Sequence, residues 1–373
     1  MNSCGNKNVY DCLVIGGGIV GLMMARELLY AGLKVAVIEK GTTGKESSWA
    51  GGGILSPLYP WRDTGVLQGL IDHSLQLYPQ IMGEIHSDTG IDPEWQQSGM
   101  LIFSIESSEE EQIHSWAGSG NIPLEVYTMD QLAVLEPAVA DGFDRVICLP
   151  SIYQVRNPFL LQALHKYLVN QGVDIHEQTE VRRLNIKNNR VHGVETTRGI
   201  FPADIIVLAN GAWGSCLLDE LAIKPVRGQM ICYQTHPGYL NHILLRDGLY
   251  IIPRRDGHLL VGSTVEDVGF DKGTTDAARE MLVRGAEELL PGTGSFPLAG
   301  HWAGLRPATG TGNPYICGYP GIDGLYLNIG HYRNGLLLAP ASAALLADII
   351  LKKEAVPDAG IFQFQPATAA SRK

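Results

Sequence analysis

The segment Tyr10-Asp-Cys-Leu-Val-Ile-Gly-Gly-Gly-Ile-Val-Gly21 decides the fold of this 373-residue chain. Within it, Leu13–Ile15 is typical of a short buried strand. The glycines that follow, Gly16, Gly18 and Gly21, have the GxGxxG spacing. Such a glycine turn directly after a strand favours an α/β fold.

The residues downstream of this turn complete the same unit. Apolar residues recur at helical intervals from Leu22 to Leu29, and Gly32 is a suitable helix end. A second apolar run, Val35–Ile38, ends at the acidic residue Glu39. Strand, glycine turn, helix, strand and terminal acid in this order predict a Rossmann-type unit that binds a dinucleotide.

Each part of the fingerprint has a physical task. Gly16 permits the tight turn, Gly18 lets a pyrophosphate approach the backbone, and Gly21 allows close packing of helix on strand. The helix N–H groups face the phosphates, and Glu39 can accept hydrogen bonds from the adenosine ribose hydroxyls. FAD and NAD share these features, so the fingerprint alone does not choose between them.

The loop after Glu39 favours FAD. Gly41–Gly44 and Glu46–Ile54 are rich in glycine and in hydroxyl side chains. Such a loop suits a large ligand that lies along the backbone, such as a flavin with its ribityl chain. The alternative is an ordinary flexible surface loop, which has a similar composition.

Composition and charge exclude several classes of function. The net charge of −11 argues against nucleic acid or an anionic membrane surface as a partner. The six cysteines form no CxxC pair, so neither a metal site nor a redox dithiol is predicted, and reduced thiols favour the cytoplasm. The first ten residues lack the apolar core of a signal peptide, and no apolar run is long enough to span a bilayer. We therefore expect a soluble cytoplasmic enzyme.

Two regions differ in pattern from the dinucleotide unit. Leu67–Glu136 is largely helical and acidic, whereas Lys224–His301 is predicted to form strands. This favours an FAD-binding domain with a mostly antiparallel β domain inserted into it. The predicted segments are 1–85, 145–220 and 310–365 for the FAD-binding domain, 86–144 and 221–309 for the substrate-binding domain, and 366–373 for a flexible tail.

With these residues in place, the chain resembles the D-amino-acid oxidase and glycine oxidase family of flavoproteins over nearly its whole length. The fingerprint carries this resemblance together with Ser47-Ser48, Gly51–Ile54, Leu249–Pro253, Trp302–Pro307 and Gly330–Gly335. These motifs are most similar to those of the bacterial glycine oxidases of thiamine biosynthesis. The resemblance implies a glutathione-reductase-like fold with noncovalent FAD. Cys317 does not match the flavin attachment motif of sarcosine oxidases.

The resemblance also assigns substrate-binding residues. Arg306 would clamp the substrate carboxylate with its planar fork, and Tyr250 would donate its hydroxyl to the same group. Arg333 would lie near substrate and flavin. Read from the residues alone, each arginine could equally serve in a structural ion pair, and Tyr250 could be an ordinary core tyrosine.

A larger set of residues is expected to contact the cofactor. The backbone of His331–Leu337 would wrap the isoalloxazine, and the helix containing Pro340 would point its positive end at the flavin pyrimidine. The expected contacts are Gly16, Gly18, Ile19, Val20, Gly21, Glu39, Lys40, Ser47, Ser48, Gly52, Gly53, Ile54, Val181, His331, Tyr332, Arg333, Asn334, Gly335, Leu336 and Leu337.

The activity implied by the resemblance is oxidative deamination of glycine to glyoxylate, ammonia and hydrogen peroxide. A hydride would pass from the substrate α-carbon to flavin N5 and oxygen would reoxidise the flavin, with no side chain acting as acid or base. The imine product could instead supply thiazole synthesis, and the enzyme would be a homotetramer. Met100, Ile102, Val265 and Tyr332 are expected in the pocket wall.

Other functions stay open at this stage. Sarcosine, another N-substituted glycine or a small D-amino acid could be the substrate. Electrons could pass to a membrane quinone instead of oxygen, as in a flavin-dependent dehydrogenase. A non-catalytic FAD-binding protein is the third alternative.

Overall fold

The structure of this protein is a computed structural model, and it describes residues 10–63, 65–120, 122–143, 145–353 and 359–365. The predicted tail at 366–373 lies outside the described residues. Among the described helices, none combines the length and the apolar character that crossing a membrane requires.

Strands and helices alternate through the first half of the described chain. The strands are β1 (Cys12–Ile15), β2 (Val35–Ile38), β3 (Gln96–Gln97), β4 (Met100–Ile102), β5 (Glu125–Tyr127), β6 (Val146–Leu149), β7 (Tyr153–Gln154), β8 (Asp174–His176), β9 (Val181–Lys187), β10 (Arg190–Thr196), β11 (Gly199–Phe201), β12 (Ile205–Leu208), β13 (Lys224–Gln234), β14 (Ile243–Arg246), β15 (Leu249–Pro253), β16 (His258–Gly262), β17 (Leu298–Ala308), β18 (Tyr315–Gly318) and β19 (Leu325–Ile329). The α-helices are α1 (Ile19–Tyr30), α2 (Ser47–Ala50), α3 (Pro60–Asp63), α4 (Gln68–Thr89), α5 (Glu110–Ser119), α6 (Met129–Leu135), α7 (Asn157–Asn170), α8 (Asp276–Leu289) and α9 (Gly335–Ile350).

The first sheet has the strand order β18-β19-β12-β1-β2-β8 and is parallel except for β18. Every residue of β1 is buried, which explains its continuous apolar sequence. Cys12 and Val14 pack with the helices α1, α4, α7 and α9 on one face. Leu13 and Ile15 face the opposite side, where the small sheet β11-β10-β9 covers them. The predicted α/β class is therefore confirmed.

The second sheet has the order β17-β13-β16-β15-β14-β4-β6-β5 and is antiparallel except for the pair β14–β4. Helix α8 packs on one face of it. The other face carries Met230, Tyr250 and Ile252, and a Cβ added to Gly52 would lie 2.5 Å from Ile252 Cδ1. This second face is therefore in contact with the glycine loop that follows α2.

The strand β6 lies in the second sheet, where it pairs with β4 and β5. The predicted boundary at residue 145 assigns β6 to the FAD-binding domain, whereas a boundary beyond Leu149 would keep all the strands of this sheet in one domain. A four-residue apolar strand has the same pattern in either sheet, so the sequence does not place this boundary more closely. The division into two domains itself stays a prediction.

Helix α9 contains a proline whose missing N–H is compensated by α4. Pro340 cannot donate to the carbonyl of Leu336, and the buried hydroxyl of Tyr78 donates to that oxygen instead. One residue further on, the N–H of Ala341 donates to Ser74 Oγ at 3.1 Å. Two side chains of α4 thereby support the first turns of α9, which the resemblance places against the flavin.

We expect Tyr78→Phe to lower the free energy of unfolding by about 1–3 kcal/mol, because it leaves the buried Leu336 carbonyl without a donor. Thermal unfolding of the purified protein measures the change. The control is Tyr153→Phe, since the Tyr153 hydroxyl is exposed and donates to Gln97 at 3.1 Å. Equal melting temperatures for the two variants would contradict this account of Pro340.

Candidate active site

A cavity of about 1140 Å³ lies between the first sheet and the second. The glycine turn after β1, the loop 46–54, the end of β12, the strands β15 and β17 and the turn after β19 all line it. Tyr250, Arg306 and Arg333 line it as well. So do most of the expected cofactor contacts, namely Gly16, Gly18, Ile19, Val20, Glu39, Lys40, Ser47, Ser48, Gly52, Gly53, Ile54, Val181, His331, Tyr332, Asn334, Gly335 and Leu336.

Two of the expected contacts do not line the cavity. Leu337 is buried with the core of the first sheet, at 2% exposure. Gly21 lies in α1 against the preceding turn, where an added Cβ would be 1.9 Å from the carbonyl oxygen of Gly16. The physical role of Gly21 is therefore helix–strand packing, because no larger residue fits between α1 and β1.

The turn after β1 brings backbone close to two other segments. Gly16 has φ +113°, and an added Cβ would lie 2.5 Å from the carbonyl oxygen of Ala209 at the end of β12. Glu39, at the end of β2, accepts hydrogen bonds from the N–H groups of Gly17 at 2.7 Å and Gly41 at 2.8 Å. Its carboxylate is thereby held in one orientation at the edge of the cavity.

Lys40 and Trp213 form one wall beyond Glu39. The Lys40 Nζ lies 3.4 Å from the centroid of the Trp213 ring, within the range of a cation–π interaction. Partial burial lowers the pKa of Lys40. Trp213 follows β12 in the segment Asn210–Trp213. None of the residues in this segment was among the expected site residues. The signal available there was an aromatic residue just after a buried strand.

The loop after α2 presents backbone to the cavity. Gly53 has φ +81°, and a Cβ there would lie 2.1 Å from the carbonyl oxygen of Val155. The buried amide of Asn157 donates to the carbonyls of Ser48 at 2.8 Å and Gly51 at 3.0 Å. Asn157, at the start of α7, therefore fixes the course of the loop, a role that sequence reasoning missed.

Arg306 lies on β17 with its guanidinium at the cavity. Its Nη2 donates to Ser263 Oγ at 2.6 Å and its Nη1 to the carbonyl of Thr264 at 3.1 Å. A Cβ added to Gly228 on the neighbouring strand would lie 2.2 Å from the guanidinium, so only glycine leaves room for it. No ion pair involves Arg306 among the described residues, in contrast to the buried Arg227, which pairs with Glu266.

The electrostatic surroundings of Arg306 combine desolvation with a second cation. Burial lowers the pKa of the guanidinium, the tyrosines Tyr250 and Tyr332 act in the opposite direction, and Arg333 lowers it further. The guanidinium nevertheless stays charged at neutral pH. Arg306 thus places a cationic group in a partly closed cavity, and the hydrogen-bond partners of this group are neutral oxygens. Such a site is suited to an anionic ligand.

Tyr250 lies beside this cation. It is buried, its hydroxyl has a weak contact with Met230 Sδ at 3.8 Å, and a side-chain hydrogen bond joins Tyr250 to Arg306. Two glycines lie close to its ring: a Cβ added to Gly52 would be 3.2 Å from Tyr250 Cε2, and a Cβ added to Gly262 would be 2.9 Å from the same atom. The tyrosine is thus held between two backbone segments, with its hydroxyl close to the cationic group.

The turn after β19 completes the site. Tyr332 has φ +49° and donates its N–H to the carbonyl of Pro307 at 2.9 Å. Arg333 is exposed, with its guanidinium carbon 5.6 Å from the Tyr332 ring centroid. Burial lowers the pKa of His331 to about 3, so its imidazole is neutral at physiological pH. Its Nε2 has no partner among the described residues.

Three of the four expected wall residues lie elsewhere. Met100 and Ile102 are wholly buried in the core of the second sheet, and Val265 is 53% exposed. None of these three lines the cavity, whereas Tyr332 does. Met100 and Ile102 lie on β4, whose side chains could not be assigned to a face without the sheet register, whereas Val265 lies in the segment after β16. Ser263, two residues before Val265, is the cavity residue that this stretch contributes.

The cavity fits FAD by the chemistry of its lining. Besides His331 Nε2, the side-chain oxygens Asn157 Oδ1 and Asn210 Oδ1 are buried without a partner among the described residues, and both asparagines are among the residues that line the cavity. Unsatisfied polar atoms of this kind call for a bound polar group. Adjoining them are the glycine turn, the start of α1 and the Glu39 carboxylate, the parts that bind the pyrophosphate and ribose of a dinucleotide. Among the described residues no cluster of His, Cys, Asp or Glu is arranged for a metal ion.

Fold and site together define a flavin-dependent oxidoreductase. Residues 11–349 match the model of the FAD dependent oxidoreductase family. The chain therefore belongs to this family, and its cofactor is FAD.

Individual relatives match nearly the whole of this chain. A glycine oxidase of Pseudomonas aeruginosa is 44% identical over 351 residues, which cover 93% of this chain and 96% of that protein. A Bifunctional protein ThiO/ThiG of Nostoc sp. is 33% identical, and the match covers 93% of this chain and 53% of that protein. The crystal structure of glycine oxidase from Geobacillus kaustophilus superimposes with a TM-score of 0.91 at 29% identity, covering 96% of this chain and 99% of that one.

Proposed function

We propose that the protein is an FAD-dependent glycine oxidase, which converts glycine to glyoxylate, ammonia and hydrogen peroxide. The observation that carries this proposal is the guanidinium of Arg306, which faces the cavity with neutral oxygens as its protein partners. Such a group matches a carboxylate in charge and in geometry. The 44% identity to the glycine oxidase of Pseudomonas aeruginosa supports glycine as the amino acid.

The chain's own residues bind and orient the substrate. Arg306 would hold the carboxylate through a bidentate pair, and the Tyr250 hydroxyl would donate to the same group. The positive potential of Arg306 and Arg333 also disfavours a protonated substrate amine, since like charges lower the pKa of a cation. FAD, when bound, supplies the redox chemistry by accepting a hydride from the substrate α-carbon.

Orientation is therefore the main contribution of these side chains to catalysis. Holding the α-carbon at one distance and angle from the cofactor converts an encounter of two molecules into a single oriented step. The neutral imidazole of His331, with its pKa lowered to about 3, is not protonated at physiological pH and adds no charge to the site.

The proposal extends to assembly and context. Oxygen would be the electron acceptor, and the enzyme would be a cytoplasmic homotetramer, as the family resemblance implies. Relatives named Bifunctional protein ThiO/ThiG support a place in thiamine biosynthesis, where the imine product would serve thiazole synthesis. Sarcosine and small D-amino acids carry the same carboxylate and are the alternative substrates.

Anaerobic mixing of the purified flavoprotein with glycine, sarcosine, D-alanine and D-proline tests the proposal. Glycine is expected to bleach the flavin absorption, and admitted air is expected to restore it with release of peroxide. If a bulkier D-amino acid or a secondary amine reduces the flavin and glycine does not, the substrate assignment is wrong. A reduced flavin that reoxidises only with a quinone would indicate a dehydrogenase.

A further inference from the structure

Arg254 is a buried arginine directly behind the glycine loop of the cavity. It follows the last residue of β15 and is 6% exposed. Its Nη1 donates to Gln154 Oε1 at 2.6 Å and to the carbonyl of Val155 at 2.9 Å. Its Nη2 donates to the carbonyl of Gly52 at 2.7 Å. All three acceptors are neutral.

No ion pair joins Arg254 to a carboxylate among the described residues, although Glu94 and Asp256 lie near enough to act on its pKa. Glu94 and Asp256 pair with Arg156 instead, at 3.1 and 2.7 Å. Burial lowers the pKa of Arg254 to about 10 and Arg156 acts in the same direction, whereas Glu94 and Asp256 oppose the shift, so the guanidinium is charged at neutral pH. A buried cation without a directly paired carboxylate is costly, and groups of this kind are concentrated at functional sites.

Only one layer of backbone separates this cation from the cavity. A Cβ added to Gly53 would lie 3.3 Å from Arg254 Nη2, and both Gly52 and Gly53 line the cavity. On the same loop, a Cβ at Gly52 would be 3.2 Å from the ring of Tyr250. The positive charge therefore lies behind the part of the loop that adjoins Tyr250, one of the proposed substrate-binding residues.

We propose that Arg254 is a positioning residue that holds the Gly52–Gly53 loop and applies a positive potential to the flavin, stabilising the negative charge that the ring gains on reduction. The inference goes beyond the choice of substrate, although it rests on the proposed contact of the flavin with Gly52 and Gly53. In general, a unit positive charge about 10 Å from a newly formed negative charge favours its formation by about tenfold when the effective dielectric constant is about 20.

Gln154→Glu tests the charge while preserving the shape. Gln154 is wholly buried, and its Nε2 donates to Ser98 Oγ at 2.6 Å. A glutamate can still accept the hydrogen bond from Arg254, and it can accept a hydrogen bond from the Ser98 hydroxyl. Both hydrogen bonds are therefore kept while the cation gains a counter-ion. Sulfite is the probe, because its addition to flavin N5 leaves a negative charge on the ring. We expect the sulfite Kd to rise about tenfold and the flavin midpoint potential to become more negative.

Gln97→Glu is the matched control. It adds the same charge to the protein, but Gln97 is exposed and its amide donates to the carbonyl of Pro150 at 2.8 Å. Its sulfite Kd is expected to equal that of the wild type. The proposal is overturned if the sulfite Kd of Gln154→Glu lies within about twofold of that of the Gln97→Glu control. The two midpoint potentials would then differ by no more than the amount that corresponds to this factor.

A second pair of variants covers the case in which Gln154→Glu fails to bind FAD. Arg254→Lys keeps the positive charge and Arg254→Gln removes it, while both lose the fork of hydrogen bonds. We expect the lysine variant to bind sulfite about tenfold more tightly than the glutamine variant. Equal affinities would mean that the charge has no effect. Sulfite reacts without an amino-acid substrate, so these titrations report on Arg254 even if glycine does not reduce the flavin.

Discussion

Replacing Arg306 by alanine is expected to lower kcat/KM for glycine by roughly thirtyfold or more. Truncating one partner of a buried charge pair costs about 2–5 kcal/mol, and each 1.4 kcal/mol is about a factor of ten. The guanidinium has neutral protein partners, Ser263 Oγ and the Thr264 carbonyl, so its charge remains free to pair with the substrate carboxylate. Steady-state kinetics with glycine measures the loss.

A carboxylate without an amine separates binding from chemistry in this prediction. Acetate binding, followed by the change in the flavin spectrum, should weaken in Arg306→Ala to the same extent as kcat/KM falls. Arg306→Lys keeps the charge without the planar fork and should lie between the two proteins. Arg255→Ala is the control, because Arg255 is exposed and pairs with Asp92 at 2.6 Å. Unchanged acetate binding in Arg306→Ala would contradict the carboxylate clamp.

The dinucleotide unit could be predicted from the sequence because its determinants are local. The strand Cys12–Ile15, the glycine turn and the helix Ile19–Tyr30 follow one another without interruption, and Glu39 ends the next strand. Each of these signals depends on a few adjacent residues. The long-range partners of the unit, such as the Ala209 carbonyl beside Gly16, have no signal near Gly16 in the chain.

The support of the substrate site could not be predicted in this way, because it depends on sheet register. Gly228 makes room for Arg306 because β13 and β17 pair with Gly228 opposite Gly304 and Val226 opposite Arg306. A shift by one residue would turn every side chain of the strand to the other face. The sequence offers no means of fixing this register, so the space that Gly228 leaves for Arg306 could not be predicted.

Buried polar contacts between distant segments were equally beyond reach. Arg254 lies in a stretch with the composition of a hairpin turn, where a surface position is the ordinary expectation. Its burial follows from the contact of the second sheet with the loop 52–53, and its acceptor Gln154 is 100 residues away in the chain. Only the packing of the two sheets reveals that this arginine lies directly behind the glycine loop of the cavity.

Gly18→Ala is expected to weaken FAD binding by roughly ten- to a hundredfold, because an added methyl group overpacks the cofactor site by about 1–3 kcal/mol. Gly18 precedes α1 and lines the cavity, and in the protein itself the added Cβ would meet only Ser48 Oγ, at 3.1 Å. The fold can accommodate that contact by a small shift of one hydroxyl. The ligand side has no such freedom, since the pyrophosphate must approach the backbone here. Titration of the apoprotein with FAD, followed by flavin fluorescence, gives the Kd.

Two further glycine variants separate binding from folding. Gly83→Ala lies in α4 with no atom within 4 Å of the added Cβ, so its FAD affinity and its thermal stability without FAD should match or exceed those of the wild type. Gly21→Ala places a Cβ 1.9 Å from a backbone oxygen and should destabilise the apoprotein itself. Gly18→Ala should resemble Gly83→Ala in apoprotein stability and differ from it in FAD affinity. The apoprotein of Gly18→Ala could instead unfold as readily as that of Gly21→Ala. In that case glycine is required at position 18 for the packing of α1, and not for the close approach of the cofactor.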